Sequence, residues 1–152
     1  MGQGVLVGQR ASESINVNAT PEALFAVVVD FAAYPTWVAD LKQVSVLAHD
    51  ENGAAQDVEF RAAAFGRSST YTLRYDYSDA PNAISWSQVT GDLTTKLDGR
   101  YRFEADDTGT KVTYELDVDL MVPLPGFVKN RAASRIMTQA LRELKTRAER
   151  GA

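Results

Sequence analysis

The last third of the chain carries the clearest pattern. Val112, Tyr114, Leu116, Val118 and Leu120 alternate with Thr113, Glu115, Asp117 and Asp119, the alternation breaks at Pro123 and Pro125, and a long amphipathic stretch follows. A period of two that gives way to a period of 3.6 predicts a half-wetted strand leading into a helix that covers the strand's dry face. The same period of two recurs upstream. It runs through Val44, Val46 and Ala48, through Val58, Phe60 and Ala62, and through Tyr71, Leu73, Tyr75 and Tyr77. It continues in Ile84, Trp86 and Gln88, then in Leu97, Gly99, Tyr101 and Phe103. Turn chemistry separates these runs at Asp50-Glu51-Asn52-Gly53, near Gly66, at Asp79-Ala80-Pro81-Asn82, at Gly91-Asp92 and at Asp106-Asp107-Thr108-Gly109.

Before them, residues 11–18 read as a first strand, and Thr20-Pro21-Glu22 then opens a helix. Thr20 is the cap, Pro21 has the φ wanted at the first helical position, and Glu22 meets the positive end of the dipole. Leu24, Val27, Val28 and Phe31 form its dry stripe, Pro35 ends or turns it, and Tyr34–Val38 is a brief second helix. The pattern predicts an α+β fold: a seven-stranded, curved antiparallel sheet wrapped around a long C-terminal helix, with two short helices between strands 1 and 2. Such an arrangement can enclose an apolar cavity.

In the last helix, Asn130, Ala133, Met137, Ala140, Leu141, Leu144 and Ala148 share one face, and Arg131, Arg135 and Arg142 lie opposite. Asn130 is then the one strongly polar side chain aimed at the sheet, where a buried amide needs a partner, a water or a ligand. Arg100 and Arg102 fall on the outer side of strand 6, opposite Glu115, Asp117 or Asp119, as a solvated face of cross-strand pairs.

Length and composition set the frame. The 152 residues, 45% of them hydrophobic, are read as one domain, 1–152, with a flexible start over 1–9. A chain of this size buries roughly 68–70% of its unfolded surface. No secretory leader and no run of eighteen apolar residues is present, so the expectation is a cytoplasmic protein without stable membrane insertion. Without cysteine and with a single histidine, thiol catalysis, thiolate zinc sites and multi-histidine metal sites are excluded. The net charge of −4 divides unevenly: Lys129–Arg150 has seven Lys/Arg against two Glu, or +5, which leaves −9 for the remainder. A basic helix end complements the backbone dipole, and no aromatic residues interleave with its cations, so nucleic acid is not an expected partner.

Three local signatures in this order resemble the START-like superfamily, also called the helix-grip or Bet v 1-like fold, and within it the bacterial polyketide cyclase/dehydrase and coenzyme Q-binding group. They are Thr20-Pro21-Glu22 with its apolar helix ending in Asp30-Phe31, then Tyr34-Pro35-Thr36-Trp37-Val38, and Val122-Pro123-Leu124-Pro125-Gly126-Phe127 opening the last helix. The resemblance implies a deep cavity between the concave sheet and the last helix, used for lipids, polyketides, isoprenoid quinones or hormones, usually without a metal or bound cofactor, so none is expected. It also implies that arginine and tyrosine side chains in the cavity guide ring closure in members that are aromatic cyclases. Some similar small actinobacterial proteins are assigned as toxins of toxin–antitoxin pairs.

The inward positions that line such a cavity are Phe60, Tyr71, Tyr75, Trp86, Gln88, Tyr101, Tyr114, Asn130 and Met137, with Trp37 at its mouth. Aromatics with scattered hydroxyls and amides suit an apolar or aromatic small molecule bearing a few oxygens. Proton-transfer chemistry finds no candidate. Glu59, Asp76, Glu115, Asp117 and Asp119 have outward parity, as do Arg61 and Arg74, while Asp30, Asp40 and Asp57 fill capping or surface positions and His49 lies beside a turn. Ser68-Ser69 lacks a nucleophile elbow, and Gly2-Gln3-Gly4 lacks the preceding strand of a dinucleotide site. The leading expectation is binding or transport of a lipophilic or polyketide-like molecule by a monomer or homodimer. The alternatives are a cyclase or dehydratase that works by orienting its substrate, and a surface-acting interaction protein such as a toxin.

Overall fold

A computed structural model describes residues 10–64, 67–121 and 125–150. The flexible start expected over 1–9, the bend at Gly66 and the Val122-Pro123-Leu124 part of the proline motif lie outside the described residues. The elements are β1 (Arg10–Val17), α1 (Pro21–Val29), a 3-10 turn (Phe31–Ala33), α2 (Tyr34–Trp37), β2 (Leu41–His49), β3 (Ala55–Ala64), β4 (Arg67–Asp76), β5 (Ala83–Gly91), β6 (Thr94–Asp106), β7 (Gly109–Leu120) and α3 (Gly126–Glu149).

All seven strands form one antiparallel sheet in the order β1-β7-β6-β5-β4-β3-β2. β1 and β2, neighbours in sequence, therefore occupy opposite edges, and the helices between them span the open side of the sheet. Register shifts in β2/β3, at Thr72/Leu73 in β4/β5 and at Thr94/Lys96 in β6/β7 add the local kinks that curvature requires. The fold is the curved sheet with a long C-terminal helix that the alternation predicts.

Local chemistry accounts for the helix starts. Thr20 Oγ1 accepts the Ala23 N–H at 3.1 Å, Pro21 occupies the first turn, and Leu24 and Val28 are buried. Phe31 is buried as its spacing predicts, but it belongs to the 3-10 turn, because α1 ends at Val29 and Asp30 has left helical geometry. In α3, Ala133, Met137, Leu141, Leu144 and Ala148 are buried, and Arg131, Arg135 and Arg142 are exposed. Packed chiefly against β1, β7 and α1, α3 builds a dry core with Val17, Leu24, Val28, Val112 and Leu116. This leaves its flank, not its centre, facing β3–β6.

Three expectations about burial are corrected. Val46 is 38% exposed, because shifts at Val46/Ala48 and Ala48/His49 on an edge strand break the period of two. Asp117, expected on a solvated face, is 7% exposed. One of its oxygens meets Lys96 Nζ at 2.8 Å, and the other, Oδ1, is buried without a partner among the described residues. Arg102 does reach Glu115, at 3.6 Å, but Arg100 turns instead to Asp79 at 3.1 Å. Asn130 is exposed: α3's first buried residue is Ala133, so the first turn lies beyond the part of the helix that the sheet covers.

Candidate functional site

Between the flank of α3 and the concave face of the sheet lies a cavity of about 230 Å³. Its floor is strand parity made visible: Phe60 from β3, Tyr71, Leu73 and Tyr75 from β4, Trp86 from β5, Leu97 and Tyr101 from β6, and Tyr114 and Val118 from β7. Its roof is Ile136, Gln139, Ala140 and Glu143, a helical stripe adjacent to the buried one. Tyr34, Trp37, Val38, Asp40 and Leu41 form the wall at the α2–β2 side.

The aromatic rings are arranged as a connected cage. Phe60 stacks on Tyr71 with centroids 5.4 Å apart, Tyr75 lies 5.7 Å from Trp86, and Trp86 lies 5.4 Å from Tyr101 and 5.7 Å from Tyr114. Tyr101 and Tyr114 close the ring at 4.6 Å, and Tyr34 sits 5.0 Å from Trp37. All fall in the range in which tilted and edge-to-face pairs are favourable beyond their buried area. Trp86 occupies its place because residue 99 on β6, directly opposite it in register, is glycine: a Cβ there would come within 2.4 Å of the indole Cζ2.

The hydroxyls set the polarity. Tyr34 donates to the Val28 carbonyl, which anchors the α2 wall to α1. Tyr71, Tyr75, Tyr101 and Tyr114 line the cavity, and none has a hydrogen-bond partner among the described residues. Burial pushes Tyr71 up to about 12. Burial first, and neighbouring phenols second, push Tyr75, Tyr101 and Tyr114 well above the ordinary value of 10.0. At neutral pH these groups are uncharged and able to donate or accept, but not to serve as phenolate bases.

Charge enters only at the rim. Among the described residues, Asp40 and Glu143 are the only carboxylates in the lining, which includes no Lys, Arg or His. Both are tied down: Asp40 Oδ2 accepts from Gln139 Nε2 at 3.1 Å, and Glu143 Oε2 accepts the Ala39 N–H at 3.0 Å, so the α2–β2 connection is strapped to α3. Arg61 and Arg74 are exposed, as their parity predicts, and Arg74 forms a two-pronged pair with Asp57 at 2.8 and 3.0 Å. Among the described residues no cluster of three His, Cys, Asp or Glu could hold a metal ion.

Seven of the ten residues singled out from sequence line the cavity: Trp37, Phe60, Tyr71, Tyr75, Trp86, Tyr101 and Tyr114. Three do not. Asn130 is exposed; Met137 is fully buried, but under the centre of α3 in the dry core. Gln88 is turned aside to latch the β5–β6 connection: its Nε2 donates to the Thr94 carbonyl at 2.8 Å, and its Oε1 accepts from Thr94 Oγ1 at 2.5 Å. Gln88 stands opposite Leu73 in the same regular register that pairs Trp86 with Tyr75, so its parity is as predicted, and it is the pair of bonds to Thr94 that draws its side chain away. Sequence reasoning passed over Tyr34, Asp40, Gln139 and Glu143. The signal for the α3 members was present in the spacing Ile136, Gln139, Ala140, Glu143, a second stripe beside the driest one.

The sequence matches the family model for polyketide cyclase / dehydrase and lipid transport over residues 8–149. A search of curated protein sequences found no match. Among solved structures, a START superfamily protein from Mycobacterium smegmatis superposes with a TM-score of 0.90 at 25% identity, over 95% of this chain and 100% of that one. The Zhui aromatase/cyclase from Streptomyces sp. R1128 superposes at 0.79 with 18% identity, over 93% of each chain. A STAR-related lipid transfer protein from Xanthomonas axonopodis does so at 0.66 with 15% identity, over 91% of this chain and 85% of that one. The last two likenesses concern the fold. No helix among the described residues is long and apolar enough to cross a membrane.

Proposed function

From the chain's membership of the polyketide cyclase/dehydrase and lipid transport family, we propose that its cavity binds and carries a lipophilic or polyketide-like small molecule without transforming it. The observation that carries this reading is the lining itself: an aromatic cage around about 230 Å³, with its hydroxyls held in the neutral form and its carboxylates confined to the rim. Such a surface gains from burying a flat apolar body and offers hydrogen bonds to scattered oxygens, while its buried phenols stay un-ionised near neutral pH. The ligand's share of the driving force is the removal of its apolar area from water, at about 25 cal/mol per Å².

The test is native mass spectrometry of freshly purified protein, followed by titration with a flat aromatic fluorophore. The expected result is one probe per chain, with uptake abolished in Ala140→Phe, which fills the cavity from α3, while far-UV circular dichroism stays unchanged. Absence of any bound species and of probe uptake, or equal uptake by Ala140→Phe, would refute the reading.

A cyclase is the second reading, supported by four phenols with no protein hydrogen-bond partner among the described residues, all within one cavity. They suit the orientation of a poly-ketone chain, with proximity as the catalytic effect. It predicts accelerated ring closure of a linear poly-ketone and loss of that acceleration in Tyr101→Phe.

A further inference from the structure

The free polar groups of the cavity are neutral or negative. The hydroxyls of Tyr75, Tyr101 and Tyr114 have no partner among the described residues, yet they are not sealed. The buried polar side-chain atoms there that lack both a partner and accessible surface are Trp37 Nε1, Arg100 Nε and Asp117 Oδ1. The three tyrosines are 7–9% exposed, so the open surface of their hydroxyls belongs to the cavity they line.

The two carboxylates stand together at one edge. Gln139 and Glu143, one turn apart on α3, hold the consecutive residues Asp40 and Ala39. Glu143 Oε2 accepts the Ala39 N–H at 3.0 Å, and Oε1, neither sealed nor partnered among the described residues, is left over. Asp40 Oδ2 accepts from Gln139 Nε2 at 3.1 Å, and Oδ1 is likewise left without a partner among the described residues. Neither carboxylate forms an ion pair among the described residues, and Arg147, one turn beyond Glu143, does not reach it. The charge is felt inside: after burial and Tyr34, Glu143 is the further cause that raises the Tyr101 phenol.

Nothing of opposite sign balances it. Among the described residues the lining includes no Lys, Arg or His, and residues 1–9, 65–66, 122–124 and 151–152 contain none. A ligand carboxylate would shed its hydration, find no counter-ion and meet two like charges. An ammonium group at the same edge would meet two carboxylates, each with an oxygen to spare, beside aromatic faces that attract cations. We propose that the site takes a lipophilic organic cation, an amine or quaternary ammonium whose apolar body lies on the aromatic floor and whose positive end lies against Asp40 and Glu143. The inference rests on the reading of the cavity as a binding site and adds to it the sign of the ligand's charge.

Three probes of one skeleton test it: 2-naphthalenemethanol, 2-naphthylmethylammonium and 2-naphthoate, each titrated calorimetrically at pH 7. The ammonium is expected to bind about threefold to tenfold tighter than the alcohol, and the naphthoate at least about threefold more weakly than the alcohol. In the unmodified protein, raising NaCl to about 0.5 M cuts the ammonium's advantage at least about twofold, a readout that needs no variant. Asp40→Asn combined with Glu143→Gln removes both charges but retains an acceptor for Gln139 and for the Ala39 N–H, so the strap between α2–β2 and α3 is kept. In that protein the ratio of ammonium to alcohol affinity falls to within about twofold. Glu104→Gln combined with Asp107→Asn removes the same charge from exposed positions outside the lining and leaves the ratio intact, which separates the rim from the net charge of −4.

An alcohol bound as tightly as the ammonium, or a naphthoate bound as tightly as the alcohol, would overturn the inference alone. So would an advantage that salt or the rim variant leaves whole, or an equal fall in the Glu104/Asp107 variant. Failure of all three probes to bind would overturn the cavity reading and this one with it.

Discussion

Replacing Gly99 by alanine tests the architecture of the cavity floor with a single methyl group. The new Cβ would stand 2.4 Å from Trp86 Cζ2, 2.7 Å from Cε2 and 3.0 Å from the Glu115 carbonyl oxygen. Ordinary contact begins at 3.4 Å, so the indole must retreat by 3.4 − 2.4, or about 1.0 Å. It has little room to do so, because Tyr75, Tyr101 and Tyr114 hold it at centroid distances of 5.4–5.7 Å. Overpacking of this kind costs about 1–3 kcal/mol. Loss of glycine's freedom in the unfolded chain returns about 0.4–1 kcal/mol. The net expectation is a loss of about 1–2 kcal/mol, which for a chain of this length is a fall in Tm of about 2–8 °C. Urea and thermal unfolding followed by circular dichroism measure the loss. Near-UV spectra and probe uptake should change with it, since the displaced indole intrudes on the cavity. A variant as stable as the parent, with its near-UV spectrum and probe affinity intact, would show that Trp86 does not lie across residue 99.

Two further expectations concern charge. All six tyrosines have their pKa raised, chiefly by burial, with Tyr71 and Tyr77 pushed up to about 12. The unfolded chain releases these protons near 10.0 and the folded chain holds them longer, so stability is level below pH 10 and is lost as pH rises toward 12 and beyond. Phenolate absorbance should therefore appear cooperatively with unfolding, and gradual ionisation around pH 10 in the folded protein would contradict the burial. On the outer face, Lys96→Met leaves the buried Asp117 carboxylate without its counter-ion and should lower the midpoint of urea unfolding. Arg74→Met, which breaks the solvated pair with Asp57, should lower it less in the same titration, and equal losses would refute the distinction.

Burial of Asp117 shows where parity stops being informative. Its side chain is on the outer side, as the alternation with Leu116 and Val118 requires, yet it is 7% exposed, with Lys96 Nζ 2.8 Å from one of its oxygens. Asn130 illustrates the same limit along a helix. It lies two turns before Met137 on the same face, and it is exposed only because the sheet ends before α3 does. Gln88 shows it within a regular register: it pairs opposite the cavity residue Leu73, yet its amide bonds to Thr94 and so latches β5 to β6.

What the amino-acid order determined by itself was local and periodic: the Thr20 cap, a first strand and six alternating runs, an amphipathic last helix, and the parity that turns Phe60, Tyr75, Trp86, Tyr101 and Tyr114 inward and the arginines of β3 and β4 outward. Each of these depends on neighbours within a turn or a strand, and sterics and hydrogen bonding settle them at that range. The tertiary structure decided how far apart the two layers stand and which stretch of α3 overlies which strands. That placement directs Met137 into a dry core, gives Ile136, Gln139 and Glu143 to the cavity and brings Asp40 to the rim. Periodicity reports the side on which a residue lies; the depth of the space on that side follows from packing between segments remote in the chain, which no local pattern encodes.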